Sequence, residues 1–344
     1  MKIYYSGLNA SSLFSNESGT IVYLDKVTRV PFPEITNMEI GWNYILLWQN
    51  EDLFISGILD VKQEENPVKL IIPETACRRI KYALAGKENV TILTTENNLW
   101  QFNPYNKMWK KINKFISISE NIENEYIVKI DGERSVIALT NIGRVFNIPI
   151  AVEMEERVKF IDMACGFDHT ILLAENGDIY SMGLGTRGQL GHGDLQDSDN
   201  PKIIKALAGI KVSQIAAAGW HSAVITIEGD LYTWGWNTFG ELGHLNSDKQ
   251  VVALPTVVDF ENEEGNNFET GVKRVQCGNN FTICSLADGS FWGCGSNKFG
   301  QLGISVEKIT TSKKFIPLEL NKFLDTKCIK DFKCKEWGFC LISE

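Results

Sequence analysis

Three glycines near the middle of the chain have the spacing of a phosphate-binding loop. The stretch GLGTRGQLGHGD contains Gly183, Gly185 and Gly188 in a G-x-G-x-x-G pattern. A dinucleotide site needs this pattern between a strand and a helix whose N-terminus faces the pyrophosphate. The residues that follow, QLGHGDLQDSDNP, are rich in turn formers, and the parallel stretches GWNTFGELG and GSNKFGQLG replace the middle glycine with Asn237 and Asn297. The pattern therefore predicts tight turns and no cofactor.

Histidine and cysteine are the other residue types that could carry chemistry. His169 and His221 occupy one position of an internal repeat, and His192 and His244 occupy another. A repeat spreads such residues around a fold, whereas catalysis needs a base and a nucleophile at one point. We therefore expect these histidines to make hydrogen bonds between strands or blades. The eight cysteines contain no C-x-x-C pair, so no metal site is predicted. The chain is predicted not to be an enzyme.

Composition limits the partners and the compartment. The 344 residues are 44% hydrophobic, enough for a large core, and carry a formal net charge of -9. That charge argues against direct binding to nucleic acid or to an anionic membrane surface. The N-terminal stretch has no apolar signal-peptide core, and no apolar run approaches the length of a membrane span. We expect a nuclear or cytoplasmic protein, or one that is found in both compartments.

An internal repeat organises the chain. Residues 164–191, 216–243 and 275–303 align with one another, and each contains two short apolar runs divided by ENGD, IEGD or ADGS. Such runs predict a β-hairpin, and a unit of about 50 residues built on hairpins predicts a propeller blade. Each unit ends in a Gly-x-Leu-Gly loop. We assign a structural role to the loop glycines, which are Gly183, Gly188, Gly191, Gly235, Gly240, Gly243, Gly295, Gly300 and Gly303.

A fixed offset extends the repeat to the whole chain. His169 lies 14 residues before Gly183, and His221 lies 14 before Gly235. The same offset locates weaker copies upstream, from Asn43 to Gly57 for example, and gives seven units in all. The sequence therefore predicts one all-β domain, a seven-bladed propeller closed by pairing of an N-terminal strand with a C-terminal strand. Its parts are well-formed repeats at about 160–305, degenerate repeats at about 39–150, and a closing blade from 333–344 plus 1–15.

Loop residues are the candidates for partner binding. Arg187, Trp236, Phe239 and Phe299 stand between the loop glycines, where they could anchor an interface or fold back onto their own blades. The acidic stretch at 259–269 could be a solvated loop or a docking surface for a basic partner. Its candidate contact residues are Glu263 and Glu264.

The repeat segments HTILLAENGDIYSMG, GTRGQLGHGD and WHSAVITIEGDLYTWGWNTFGELG resemble those of the regulator of chromosome condensation family. Within that family, GWNYILLW, WGWN and the ending CKEWGFCL are similar to a small single-propeller member, a nuclear partner of a JmjC-domain oxygenase linked to histone demethylation and chromosome segregation. The resemblance implies a non-enzymatic scaffold or regulatory partner that reaches histones or chromatin through the oxygenase. This oxygenase class can hydroxylate arginine. Arg144, which we expect to lie exposed at a hairpin corner, is therefore a candidate modification site.

The family's best-known activity is the alternative function. That activity is guanine nucleotide exchange on a Ran-like small GTPase. The first three units lack the regular loops, and the N-terminal stretch is not basic, so the sequence favours the scaffold.

Overall fold

Seven four-stranded antiparallel sheets surround a central channel, which confirms the all-β, seven-bladed propeller predicted from the repeat. The computed structural model describes residues 1–9, 15–16, 19–20, 23–57, 67–73, 79–112, 125–154, 157–245, 249–262, 264–320 and 328–344. Within each blade we name the strands a to d from the channel outwards. Residues on or next to the seven a strands line the channel, whose volume is about 360 Å³.

Blades 1 to 3 contain the degenerate repeats. Strands a to d of blade 1 are Ile35–Ile40, Tyr44–Gln49, Asp52–Gly57 and Val68–Lys69. Those of blade 2 are Ile80–Ala85, Val90–Thr94, Leu99–Asn103 and Met108–Ile112. Those of blade 3 are Ile127–Asp131, Ile137–Thr140, Val145–Asn147 and Ile150–Ala151.

Blades 4 to 6 contain the regular repeats. Strands a to d of blade 4 are Phe160–Cys165, His169–Ala174, Ile179–Gly183 and Ser198–Ile203. Those of blade 5 are Val212–Ala218, His221–Thr226, Leu231–Trp236 and Val251–Val257. Those of blade 6 are Val272–Gly278, Phe281–Leu286, Phe291–Ser296 and Thr311–Leu318.

Blade 7 draws its strands from both ends of the chain. Its strands a to d are Ile329–Lys335, Gly338–Ser343, Lys2–Leu8 and Tyr23–Arg29. Strand c pairs with strand b in antiparallel register, from Lys2 opposite Ser343 to Gly7 opposite Gly338. The minor elements are the hairpins Ser15–Asn16 with Gly19–Thr20 and Phe260–Glu261 with Asn267–Phe268, and the 3-10 helix Lys205–Leu207. No helix among the described residues has the length and apolar character needed to cross a bilayer.

The strand register follows the offset where the hairpin turns have equal length. His169 lies opposite Gly183, and His221 lies opposite Gly235. In blade 1 the partner of Gly57 is Tyr44, one residue later than the offset predicts. The reason is a shorter turn, in which Asn50 adopts a positive φ of 56°.

Ion pairs join neighbouring a strands around the channel. Lys129 of blade 3 lies 2.6 Å from Asp162 of blade 4, and Lys335 of blade 7 lies 3.1 Å from Glu39 of blade 1. The two lysines that flank Glu39 hold the pKa of its carboxyl below the ordinary value despite burial. The ring is therefore held together by charge on its inner side as well as by apolar packing between blades.

Candidate functional site

The turns between strands a and b and the loops between strands c and d lie at the same end of the propeller, because strand b begins where strand c ends. We call this end the loop face. The long loops of blades 4, 5 and 6 span residues 184–197, 237–250 and 297–310. These loops require glycines with a positive backbone φ. The glycines at or beside the loops that have one are Gly183, Gly188, Gly191, Gly235, Gly240, Gly243, Gly295, Gly300 and Gly303.

Close backbone contacts explain two of these glycines. A Cβ on Gly188 would lie 2.9 Å from the Cα of Ala253 in the next blade. A Cβ on Gly183 would lie 2.3 Å from the carbonyl oxygen of Asp168. The extra glycine of the opening pattern, Gly185, lacks a positive φ, but a Cβ there would fall 1.9 Å from the carbonyl oxygen of Gln196. Glycine at all these positions serves chain packing, as the turn interpretation requires.

A side chain that the sequence analysis overlooked braces each long loop from within. The variable residue of Gly-x-Leu-Gly is Gln189, Glu241 or Gln301, and its side-chain oxygen accepts the backbone N–H two residues earlier at 2.7–2.8 Å. The recurrence of Gln and Glu at this position was the available signal. Burial raises the pKa of Glu241 from 4.5 to about 7.

Each long loop also caps the boundary with the following blade. The Gln189 carbonyl accepts hydrogen bonds from the Ser222 hydroxyl at 3.1 Å and from Trp234 Nε1 at 2.9 Å. The Glu241 carbonyl accepts the Thr282 hydroxyl at 2.7 Å. Loop and blade therefore form one hydrogen-bonded unit at these boundaries.

Histidines complete these contacts. His169 Nε2 lies 2.9 Å from the hydroxyl of Ser222, and His221 Nε2 lies 2.9 Å from that of Thr282. Because each hydroxyl gives its proton to a loop carbonyl, the histidine nitrogen is the donor. Burial lowers the pKa of both histidines to about 3. They stay neutral near pH 7 and link neighbouring blades, which is a structural role.

Arg187 is the most distinctive side chain of the loop face. Its guanidinium carbon lies 4.0 Å from the ring centroid of Trp220 and 5.2 Å from that of Trp236, both on the next blade. Trp220 in turn makes an edge contact with Phe167 at 4.9 Å. Arg187 Nε is buried and has no hydrogen-bond acceptor among the described residues. We call Phe167, Arg187, Trp220 and Trp236 the Arg187 cluster.

The other aromatic candidates occupy separate places on this face. Phe239 is 41% exposed at the tip of its loop. Phe299 is half-buried and makes an edge contact with Trp337 at 5.9 Å, and Trp337 packs against Trp42 at 5.8 Å. Lys87 lies over the Trp42 ring at 5.4 Å. The structure therefore groups Phe299 with aromatic residues of blades 7 and 1, away from the Arg187 cluster.

Comparison with known proteins matches this geometry. The Regulator of chromosome condensation (RCC1) repeat is recognised at residues 176–225 and 228–285, and a second form of the same repeat at residues 160–189, 212–241 and 272–301. The RCC1 repeat thus matches blades 4 to 6 of the propeller. Similar solved structures include human WBSCR16, with a TM-score of 0.79, 16% identity and full coverage of both chains. Another is Prp20p of Saccharomyces cerevisiae, with a TM-score of 0.75, 16% identity, and coverage of 99% of this chain and 90% of that one.

Curated relatives match the chain over part of its length. Human RCC1 domain-containing protein 1 is 30% identical over 226 residues, which cover 56% of this chain and 57% of that protein. The chain covers between 4% and 57% of the length of the first curated relatives that it matches.

The acidic stretch at 259–269 contains a short hairpin. Strand Phe260–Glu261 pairs with Asn267–Phe268, and Asn262 Oδ1 accepts the backbone N–H of Glu264 at 3.1 Å. Glu264 is exposed, whereas Glu263 lies outside the described residues. Glu264 is thus available to a basic partner.

Arg144 lies at the end of the propeller opposite the loop face. The expectation of an exposed side chain there is wrong, since only 25% of the side chain is accessible. Its guanidinium lies 3.0 Å from the carboxylate of Glu125 and 5.0 Å from the ring centroid of Phe146. A modifying enzyme would have to displace this ion pair.

Two carboxyl groups that the sequence analysis missed face each other at the channel mouth. Glu133 comes from blade 3 and Glu336 from blade 7. Burial raises the pKa of both, and the charge of Glu336 contributes to raising that of Glu133 to about 8. At Glu336, a hydrogen bond with Glu133 opposes the effect of burial. Asn279 donates a hydrogen bond of 2.7 Å to Glu336. The described residues contain no group of three or more His, Cys, Asp or Glu side chains that could hold a metal ion.

Proposed function

We propose that this chain is a non-enzymatic interaction scaffold that binds a protein partner through the loop face, with the Arg187 cluster as anchor. The observation that carries the proposal is the guanidinium held between Trp220 and Trp236 with a buried Nε that lacks an acceptor. Aromatic and arginine side chains contribute most binding energy at protein interfaces. Since Arg187 is half-buried, a carboxylate of a partner would pair with the part of its side chain that stays accessible.

The partner that we propose is a JmjC-domain oxygenase. The similarity to RCC1 domain-containing protein 1 and the family resemblance of the repeats support this choice. With this partner, we expect the chain in the nucleus or the cytoplasm, and we expect it to reach histones or chromatin through the oxygenase. Hydroxylation of Arg144 belongs to the same proposal, and requires that the Glu125 ion pair opens on binding.

A pull-down of the full chain with a purified JmjC-domain oxygenase tests the scaffold function. We expect retention of the oxygenase, and loss of most of it with Arg187→Ala or Trp236→Ala. The matched control is Ile227→Ala, because Ile227 is exposed on the opposite end of the propeller. If all variants retained the oxygenase equally, the Arg187 cluster would not be the anchor. Mass spectrometry of the Arg144 peptide after incubation with the oxygenase, iron and 2-oxoglutarate tests the modification, which an unmodified peptide would exclude.

Nucleotide exchange on a Ran-like GTPase is the second candidate. The supporting observation is the fold similarity to Prp20p, whose structure was described together with its binding to Gsp1p and histones. A nucleotide-release assay with Ran and the full chain separates the two functions. Release without oxygenase binding would replace the scaffold proposal by exchange activity.

A further inference from the structure

Two carboxyl groups meet across the channel although their blades are not neighbours. Glu133 belongs to blade 3 and Glu336 to blade 7, so blades 1 and 2 separate them on one side of the ring and blades 4 to 6 on the other. Their side chains form a hydrogen bond with each other, and both residues line the channel. The contact therefore joins parts of the ring that the packing of neighbouring blades does not join.

The turns that carry the two residues differ in length and exposure. Glu133 is half-buried in the turn between strands a and b of blade 3, residues 132–136, which is the longest of the seven such turns. Glu336 lies in the shorter turn of blade 7, residues 336–337, with a positive φ of 50°, and it is only 2% exposed. Glu336 is therefore the fixed member of the pair, and Glu133 is the member that has room to move.

The hydrogen bond between the two side chains requires a proton. An ionised carboxylate only accepts hydrogen bonds, so one of the two groups must be protonated when they are joined. Asn279 of blade 6 donates to Glu336 at 2.7 Å, which favours the charge on Glu336 and leaves the proton on Glu133. Burial raises the pKa of Glu133 to about 8, and the charge of Glu336 adds to that effect. The proton is thus held at neutral pH and is lost in mildly alkaline solution.

Charged groups from the surrounding blades face the pair. Three cations oppose the effect of burial on its pKa, and they are Lys335 of blade 7, Lys87 of blade 2 and Arg134 of blade 3. Lys335 also pairs with Glu39 of blade 1 at 3.1 Å, and Arg134 pairs with Asp168 of blade 4 at 3.1 Å. Blade 5 contributes only uncharged residues to the channel lining. Because Lys335 and Arg134 are shared with other carboxylates, the pair keeps its proton.

Two tyrosines near Glu336 stay neutral over the same pH range. The hydroxyl of Tyr5 donates to the Leu8 carbonyl at 2.8 Å, and that of Tyr44 donates to the Gly86 carbonyl at 2.6 Å. Burial raises the pKa of both hydroxyls above the ordinary value, and the charge of Glu336 adds to this. The tyrosines therefore do not compete with the carboxyl pair for the proton.

We propose that Glu133 and Glu336 form a proton-dependent latch across the channel mouth at the loop face. With its proton, Glu133 donates to the Glu336 carboxylate and ties blade 3 to blade 7. When the proton passes to solvent, two negative charges meet, and Glu133 turns towards water because Glu336 is held by Asn279. The latch is a property of the chain alone and does not rest on the proposed function.

Carboxyl NMR spectroscopy tests whether the pair holds the proton. The full chain is labelled with ¹³C at the glutamate carboxyl carbon and titrated from pH 5 to pH 10. The signals of Glu133 and Glu336 are assigned as those that are lost in Glu133→Gln and Glu336→Gln. We expect Glu133 to titrate near pH 8 in the native chain. In Glu336→Gln its midpoint should be lower by about one pH unit, because a like charge is removed.

A fluorine signal beside Glu336 reports whether the latch opens. Trp337 follows Glu336 in the chain and packs against Trp42 at 5.8 Å. The full chain is produced with 5-fluorotryptophan, and the Trp337 signal is assigned with Trp337→Phe. We expect this signal to shift with a midpoint near pH 8, as the Glu133 carboxyl does.

Variants at Glu133 separate the latch from other effects of pH. Glu133→Gln keeps a donor to Glu336 at every pH, so the step of the Trp337 signal near pH 8 should disappear. Glu133→Ala removes the donor, so the Trp337 signal should stay at its alkaline position throughout the titration. Both substitutions are made in a half-buried turn. Glu264→Gln, at an exposed site, is the matched control and should behave as the native chain does.

Three results would overturn the proposal. They are a Glu133 midpoint below neutral pH, a step of the Trp337 signal near pH 8 that persists in Glu133→Gln, and a Trp337 signal in Glu133→Ala that matches the native chain at low pH. The second result would mean that another group causes the step, and the third that the hydrogen bond closes nothing. Because no oxygenase is present in these experiments, their failure is distinct from failure of the pull-down.

Discussion

Replacement of Glu241 by glutamine should change how the stability of the propeller depends on pH. Glu241 is 1% exposed, its Oε2 accepts the Phe239 N–H at 2.7 Å, and its Oε1 has no partner among the described residues. Blades 4 and 6 place Gln189 and Gln301 at the equivalent position, where the amide makes the same contact without charge. Glutamine therefore fits the loop and removes a buried ionisable group.

The direction and size of the effect follow from the pKa. Burial raises the pKa of Glu241 from 4.5 to about 7, so the folded protein holds this proton more tightly than the unfolded chain does. The free energy of unfolding then falls as pH rises from about 4.5 to 7, by roughly 3 kcal/mol at 1.4 kcal/mol per pH unit. Leaving an amide N–H unpaired, as at Gln301, costs about 1 kcal/mol. We expect Glu241→Gln to be about 2 kcal/mol more stable than the native chain at pH 8, and equal or less stable at pH 5.

Urea unfolding monitored by tryptophan fluorescence at pH 5, 6, 7 and 8 measures the difference between the two proteins. His169 and His221, with pKa values lowered to about 3, make stability rise with pH up to about 6.5, and Glu133 acts in the opposite sense. These contributions are common to both proteins and cancel in the difference. Glu264→Gln, at an exposed site, is the control and should show no pH-dependent difference. The reasoning would be refuted if the difference in free energy of unfolding between Glu241→Gln and the native chain did not change with pH.

Three further substitutions test the interblade contacts, each by urea unfolding. His221→Ala removes the partner of Thr282 and leaves a cavity, and should lower the free energy of unfolding by about 3 kcal/mol; an effect below about 0.5 kcal/mol would contradict the role given to this histidine. Gly166→Ala places a Cβ 2.2 Å from His169 Cε1 and 2.7 Å from the Gly219 carbonyl, and should cost at least about 1 kcal/mol. Gly271→Ala is the control, because Gly271 also lacks a positive φ and a Cβ there meets only Ala287 Cβ at 3.9 Å. Lys335→Met removes one of two lysines beside Glu39, and should destabilise by about 3 kcal/mol at pH 7. The loss should be smaller at pH 4, because the variant lacks one of the lysines that lower the pKa of Glu39, and its Glu39 accepts a proton more readily; an equal loss at both pH values would contradict this.

The sequence predicts those parts of the fold that a repeat can encode. The register of His169 with Gly183 was predictable because the intervening turns have the same length in regular units. The partner of Gly57 was predicted one residue early, as Asn43 instead of Tyr44, because the turn that contains Asn50 is one residue shorter and side-chain patterns do not report backbone dihedral angles. The stacking of Arg187 on Trp220 joins two blades, and only the geometry between repeats fixes it. Arg144 contacts Glu125 within its own blade, but Glu125 precedes strand a and lies outside the two apolar runs that define the repeat.

The degeneracy of the early repeats changes how neighbouring blades are joined. At the boundary between blades 4 and 5, a histidine, a hydroxyl and a loop carbonyl link the blades. At the boundary between blades 3 and 4, Lys129 donates to Asp162 and to the Met163 carbonyl beside the channel, and Asp131 accepts the N–H of Cys165. At the loop face, this boundary has the ion pair of Arg134 with Asp168.

At the boundary between blades 3 and 4, charged residues beside the channel thus make contacts in place of those that a long loop makes at the next boundary. Lys129 and Asp162 keep 40% and 35% of their side chains accessible, so water offsets part of the cost of burying them. The ring can therefore lose a loop at this boundary without losing its closure. Thr170 and Met182, which occupy the positions that a loop contacts in blade 5, are only 4% and 6% exposed, so blades 3 and 4 cover these groups without a long loop.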